Sequence, residues 1–365
     1  MKKIFFAIVA IATLASCAKS GVEYTDFKEI GIKAVTANRT KAMVSGTEFP
    51  AEDFMVWAYY KQLPAATSIA EWQAATTYEQ QDYIEEKPFS PRTGTNAGLW
   101  GGAEASYFWP KAGSLMFVGY YPTTMKDKVS YSFTASENKM TVEEFTPGDY
   151  QTTGFVNTAA NSSCVEDFMY FNMTATSCDA KTTGPENSVK GGYHIDVVFK
   201  HALSWLTVIL KKDSATPEDA TITVKKVYFS DVNTTATGTV NNTPAEGESN
   251  VISWETTDAD TDVYVLGSKT TDNTAALTDD YTCKQPVIIP QTMDGDIVIT
   301  YEIKSSDGSA FTETVKLPVS GLAADVASWD PAKKYTYTVT IGTSEILIDP
   351  VVAEWGEVSA GIETK

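Results

Sequence analysis

The run Tyr335-Thr336-Tyr337-Thr338-Val339-Thr340-Ile341 alternates large apolar residues with threonine over seven positions. A period of two puts Tyr335, Tyr337, Val339 and Ile341 on one face and the threonines on the other, the pattern of a half-buried strand. The same texture fills the chain. Phe54 to Tyr60 and Leu115 to Tyr121, the latter stopped by Pro122, are apolar throughout and read as strands buried on both faces. Further short runs follow at Tyr193 to Phe199, Leu206 to Leu210, Ile222 to Val224, Val263 to Leu266 and Ile297 to Tyr301. Gly, Pro, Asn and Asp clusters separate them. Ser68 to Gln81, with Trp72, Ala75 and Glu79, predicts one short helix. Many short strands and few helices predict an all-β chain built of β-sandwiches.

The N-terminus has a different composition. Lys2 and Lys3 precede a ten-residue apolar run, Phe5 to Leu14, and then Leu14-Ala15-Ser16-Cys17. A basic start, a short apolar core and small residues before a cysteine form a bacterial lipoprotein signal peptide, residues 1–16, with Cys17 as the acylated thiol. The run is too short to span a bilayer. Acyl chains, each contributing ~0.8 kcal/mol per buried methylene, tether such a chain to a membrane. The mature chain then starts at Cys17.

Of 28 basic residues, the leader removes Lys2 and Lys3, leaving 26 against 47 acidic ones in the remaining 349 residues. That acidic balance disfavours a nucleic-acid partner. The length suits about two domains. Thr176 to Gly192 is polar and turn-rich, and marks the boundary between them. Three cysteines remain, Cys164, Cys178 and Cys283. Their odd number and wide spacing point to buried thiols, with a Cys164–Cys178 bridge left open.

Catalytic chemistry is hard to find. The two histidines, His194 and His201, read as packed or surface residues, and no glycine-rich phosphate loop follows a strand. The acidic groups Asp258, Asp260, Asp262, Asp279 and Asp280 match no calcium-loop spacing and read as solvated turns. Trp72, Trp100 and Trp109 are either core residues or platforms for sugar rings. The expectation is a chain that is no enzyme and takes no cofactor or metal.

The two ends carry more information. Ile30 to Thr36 alternates as a strand, with Ile30, Ile32 and Ala34 on one face, and runs into the polar loop Asn38-Arg39-Thr40-Lys41. A trypsin-like protease cutting between Arg39 and Thr40 would release one whole strand. At the far end Glu345 to Asp349 reads as a strand, and Val358 to Ile362 is a second alternating stretch with no evident partner. Strand exchange between molecules and ordinary pairing of both ends within their own domains are equally compatible with this pattern.

Several segments, in this order, resemble the fimbrillins, the lipoprotein precursors of type V pili. They are Asp53 to Tyr59 after the Arg39-Thr40 loop, Tyr107-Phe108-Trp109-Pro110, Asp167-Phe168-Met169-Tyr170 and Phe199-Lys200-His201-Ala202. Ile288-Ile289-Pro290-Gln291 and Trp329-Asp330-Pro331-Ala332-Lys333-Lys334-Tyr335-Thr336-Tyr337 follow, before Ile346 and Val352 to Trp355. The resemblance implies two tandem transthyretin-like β-sandwich domains, residues 40–185 and 186–365, behind a propeptide, 17–39. It implies a pilus subunit serving cell adhesion, exported to the outer membrane as a lipoprotein carrying palmitate-type chains. It also implies cleavage after Arg39, loss of the first strand, and filling of the vacated groove by another pilus subunit's C-terminal strand. Val358, Ala360 and Ile362 are the leading donor residues, with Ile346 and Ile348 as the alternative set. Arg92, in Ser90-Pro91-Arg92-Thr93-Gly94, is a competing loop arginine, but cutting there would sever the first domain. Stalk, anchor and tip roles remain open.

A surface lipoprotein that binds glycans for nutrient uptake shares the anchor, the sandwiches and the tryptophans, and is the alternative function. Ser214, in Asp213-Ser214-Ala215, resembles a bacterial O-glycosylation motif in a turn between two expected strands.

Overall fold

The computed structural model describes residues 24–36, 49–61, 81–110, 113–133, 138–147, 167–177, 194–242, 251–257, 260–343 and 346–354. The first strands are β1 (Tyr24–Glu29), β2 (Gly31–Thr36), β3 (Phe54–Lys61), β4 (Gln81–Pro91), β5 (Trp100–Gly102), β6 (Phe108–Pro110) and β7 (Ser114–Tyr121). Then come β8 (Val129–Phe133), β9 (Asn138–Phe145), β10 (Met169–Ser177), β11 (His194–His201), β12 (Ser204–Lys212), β13 (Thr221–Asn233) and β14 (Ala236–Asn241). The rest are β15 (Ser253–Thr256), β16 (Asp260–Leu266), β17 (Ala275–Ala276), β18 (Tyr281–Thr282), β19 (Val287–Ile288), β20 (Gln291–Thr292) and β21 (Asp296–Lys304), with β22 (Ala310–Pro318), β23 (Ser328–Trp329), β24 (Lys333–Ile341) and β25 (Ile346–Glu354). Apart from single helical turns such as Ala324–Ala327, the described chain is all β, as its alternation predicts. The helix expected at Ser68 to Gln81 lies outside the described residues, except that Gln81 opens β4.

Two compact units are present. One takes the chain up to Ala34, then Ala51–Thr123 and Phe171–Val198; the other takes Val35–Pro50, Thr124–Tyr170 and Phe199–Lys365. The units interleave along the chain. The reason is non-local pairing: β9 joins β14, about a hundred residues later, in the sheet β15-β14-β9-β8. Of the expected boundary Thr176 to Gly192, Thr176 and Ser177 end β10 and the rest lies outside the described part.

One sheet closes on itself in the order β10-β11-β2-β5-β4-β3-β7, and its strands β3, β4, β5 and β7 belong to the first unit. Strand β3 pairs antiparallel with both β4 and β7 and is buried at every position, which accounts for its unbroken apolar run. Phe54 fills the interior beside Phe89, Trp100 and Phe171, with ring centroids at 6.3, 6.0 and 6.3 Å. Gly119 permits this closeness: a Cβ there would come within 2.3 Å of the Met55 carbonyl oxygen and 2.4 Å of the Phe171 ring.

In the second unit one sheet runs β18-β12-β24-β25, with β19 also on β12, and another runs β16-β13-β21-β22, with β17 also on β13. Their apolar faces form one core that includes Leu206, Val208 and Leu210 from β12, Val227 and Phe229 from β13, Ile297 and Ile299 from β21, and Tyr335, Tyr337, Val339 and Ile341 from β24. The face read from the alternation of β24 is the face that is buried.

Candidate functional site: the seat of the first strand

The alternating residues of the stretch Ile30 to Thr36 are locked in place. Ile30, Ile32 and Ala34 are 1%, 0% and 3% exposed. In the closed sheet β2 lies between β11 and β5, with Ile32 opposite Trp100. Trp100 is held in turn by its indole N–H, which donates to the Glu52 carbonyl at 2.9 Å. Ahead of β2, β1 pairs antiparallel with β6, and the Ile30 N–H donates to the Tyr107 carbonyl at 2.7 Å. Arg92, just past β4, adds a charge: its Nη2 lies 2.6 Å from Glu29 Oε1 and 3.2 Å from the Ile30 carbonyl oxygen.

Strand β2 thus bridges β11 and β5 in the closed sheet, and β1 precedes it in the chain. Strand β5 is three residues long, so β2 meets it at the single described pair Ile32 and Trp100. Withdrawing β2 would bare the facing edges of β5 and β11 and an apolar trough. Each aliphatic side chain covering such a trough contributes about 1.5–3 kcal/mol.

At the other end of the chain, β25 is the last strand of its sheet and pairs antiparallel with β24 over nine positions. Ile346, Ile348 and Val352 pack on the core of their own unit, while Leu347 and Val351 are 54% and 48% exposed. Ile346 and Ile348, the alternative donor pair, are therefore engaged in their own sheet. Cys17, Arg39, Thr40, Val358, Ala360 and Ile362 lie outside the described residues. Ser214 is exposed in the turn between β12 and β13, where the Ala215 N–H donates to the Asp213 carboxylate at 3.0 Å.

Of the other sequence candidates, Trp72, Cys164, Cys178 and Asp258 lie outside the described residues. His201 Nδ1 lies 2.8 Å from Asp167 Oδ2, with both groups buried, and buried His194 faces Asp196 at 3.3 Å. Among the described residues, no three His, Cys, Asp or Glu side chains converge as metal ligands would. Burial pushes the Cys283 thiol up to about 12, which keeps it protonated and unreactive. Trp100 and Trp109 are 5% and 1% exposed, so neither offers a ring to a sugar. Sequence reasoning missed the role of Arg92. An ion pair between residues 63 positions apart leaves no periodic trace, and only a lone basic residue after a strand was visible.

Comparison with known proteins adds the family. The sequence profile of the fimbrillin-like family matches residues 60–355, and that of the prokaryotic membrane lipoprotein lipid-attachment site matches residues 1–18. No curated protein matches the chain significantly. Among solved structures, a fimbrial protein from Bacteroides vulgatus is 16% identical, with a TM-score of 0.51, covering 90% of this chain and 99% of its own. The fimbrial anchor protein Mfa2 from Porphyromonas gingivalis is 9% identical, with a TM-score of 0.29, covering 90% and 97%. The tip fimbrial protein Mfa3 from the same organism is 11% identical, with a TM-score of 0.35, covering 89% and 100%. The first of these supports a shared fold. With most of its length matched, this all-β chain belongs to the fimbrillin-like family.

Proposed function

We propose that this chain is a structural subunit of a pilus, exported as a lipoprotein to the outer membrane and assembled by protease-triggered strand exchange to serve adhesion. Cys17 carries the lipid, a trypsin-like protease cuts between Arg39 and Thr40, and β2 leaves the sheet. A second subunit's tail, with Val358, Ala360 and Ile362 facing inward, takes its place. The observation that carries this reading is the seat of β2: an apolar strand near the chain start that closes a sheet through a three-residue neighbour. An intact subunit is closed to addition because that strand already satisfies the edge and covers the core. Ser214, exposed in its turn, is the proposed glycan acceptor.

The test is assembly after proteolysis. The mature parent chain, treated with a trypsin-like protease, should give ladders or filaments, whereas Arg39→Ala should stay monomeric. Deleting residues 358–365 should allow cleavage and still block assembly. Equal assembly by Arg39→Ala and the parent would overturn the proposal.

A further inference from the structure

The strand seat holds a charge that an apolar trough does not need. The chain has only two arginines, Arg39 and Arg92. The side chain of Arg92 is 17% exposed and meets Glu29, which is 33% exposed, together with the carbonyl of Ile30. The floor of the site is shaped for it: a Cβ on Gly101 would come within 2.0 Å of Nη2 and 2.4 Å of Cζ. The guanidinium therefore lies where only glycine leaves room. It reads two things at once, a carboxylate and the backbone carbonyl of the first inward-facing residue.

Resting on the strand-exchange reading above, the departure of β2 together with β1, which ends in Glu29, takes that carboxylate away from a partly buried cation. A cation left without its partner in such a place is costly, so an incoming strand that brings a carboxylate to the same point is favoured. We propose that Arg92 is the register key of the seat, and that its second occupant is the tail of another copy of this chain, with Glu357 taking the place of Glu29. The sequences align without a gap when both strands run in the same direction. Glu29-Ile30-Gly31-Ile32-Lys33-Ala34 stands against Glu357-Val358-Ser359-Ala360-Gly361-Ile362. Val358, Ala360 and Ile362 then fall where Ile30, Ile32 and Ala34 are buried.

The charge settles what the apolar face leaves ambiguous. A one-residue slip turns Ser359 and Gly361 inward and is rejected by the trough. A two-residue slip keeps alternate residues inward but presents Trp355 or Ser359 to Arg92, neither of them acidic. Glu345-Ile346-Leu347-Ile348 also opens with an acid, yet Ile346–Glu354 is already paired to β24, and Pro350 would fall at the place of Ala34 without an N–H to offer.

Charge exchange tests the key with the full mature chain and an arginine-specific protease, which makes no new cut at an added lysine. Ladder yield should fall about tenfold for Arg92→Glu and for Glu357→Lys, as expected for a close charge pair at an interface. Glu357 lies outside the described residues, so the urea midpoint of the uncut Glu357→Lys chain is measured beside the ladder, and a parent-like midpoint assigns the loss to docking rather than to misfolding. Arg92→Glu combined with Glu357→Lys should restore the ladder, and Arg92→Glu combined with Glu345→Lys should not. Parent-like yield from Glu357→Lys, or rescue by Glu345→Lys instead, would overturn the register while leaving strand exchange standing. Absence of ladders from the parent would overturn both.

Discussion

The indole N–H of Trp329 donates to the hydroxyl of Tyr337 at 2.8 Å, and that hydroxyl donates in turn to the Val326 carbonyl at 2.8 Å. Beside it, Tyr335 donates to the Ser328 carbonyl at 2.8 Å and accepts from the Asp330 N–H at 2.7 Å. The Trp-Asp-Pro…Tyr-x-Tyr pattern near the end of the chain is thus a polar clasp inside an apolar core. It holds the segment before β24 onto β24 itself.

Tyr337→Phe keeps the ring and removes the relay, leaving a buried indole N–H and a buried carbonyl without partners. The expected loss is about 1–3 kcal/mol of stability, read as a lower urea midpoint at an unchanged slope. Thr338→Val, on the opposite face of the same strand, should change the midpoint far less.

The buried pair of Asp167 and His201 gives a second test. Removing one partner leaves the other buried without this hydrogen bond, so His201→Leu should cost about 1–3 kcal/mol, while the double change to leucine should recover much of that loss. A denaturation cycle over the four proteins measures the coupling.

Alkaline sensitivity follows from the burial of acids that are neutral in the folded chain. Burial raises Cys283 to about 12, and Tyr264, Tyr301 and Tyr335 to about 12. Unfolded, these groups lose their protons near the ordinary thiol and phenol values of 9.0 and 10.0. Between those values and about 12 the folded chain binds more protons than the unfolded one, so stability falls as pH rises through that window. Melting temperatures should hold to about pH 9 and then decline. Tyr335→Phe should flatten part of that decline.

Lipidation predicts a location. Parent protein expressed in its own type of cell should label with palmitate and sediment with membranes. Cys17→Ser should do neither, as followed by fractionation and autoradiography.

Much of this fold is legible locally. Alternation placed Ile30, Ile32 and Ala34, and likewise Tyr335, Tyr337, Val339 and Ile341, on the faces that are buried. The unbroken runs of β3 and β7 are buried at nearly every position, on both faces of their sheet. Alternation alone does not distinguish a sandwich from a sheet that closes on itself, since both bury the same faces. Pairings over long separations were invisible for the same reason: β9 with β14, Glu29 with Arg92 and Asp167 with His201 join residues whose neighbours in sequence carry no trace of the partner. Strand β22 escaped notice because it is largely solvated and breaks the apolar rhythm with Thr312, Glu313 and Thr314.

Pro350 stands in the middle of β25, opposite Tyr337, on the last strand of its sheet. With no N–H to give, it interrupts the outward row of donors at its centre, so a neighbouring molecule laid alongside finds no continuous ladder to extend. The β25 edge is thereby a poor template for a sideways neighbour, and what could have been a sticky border is blunted by a single imino ring.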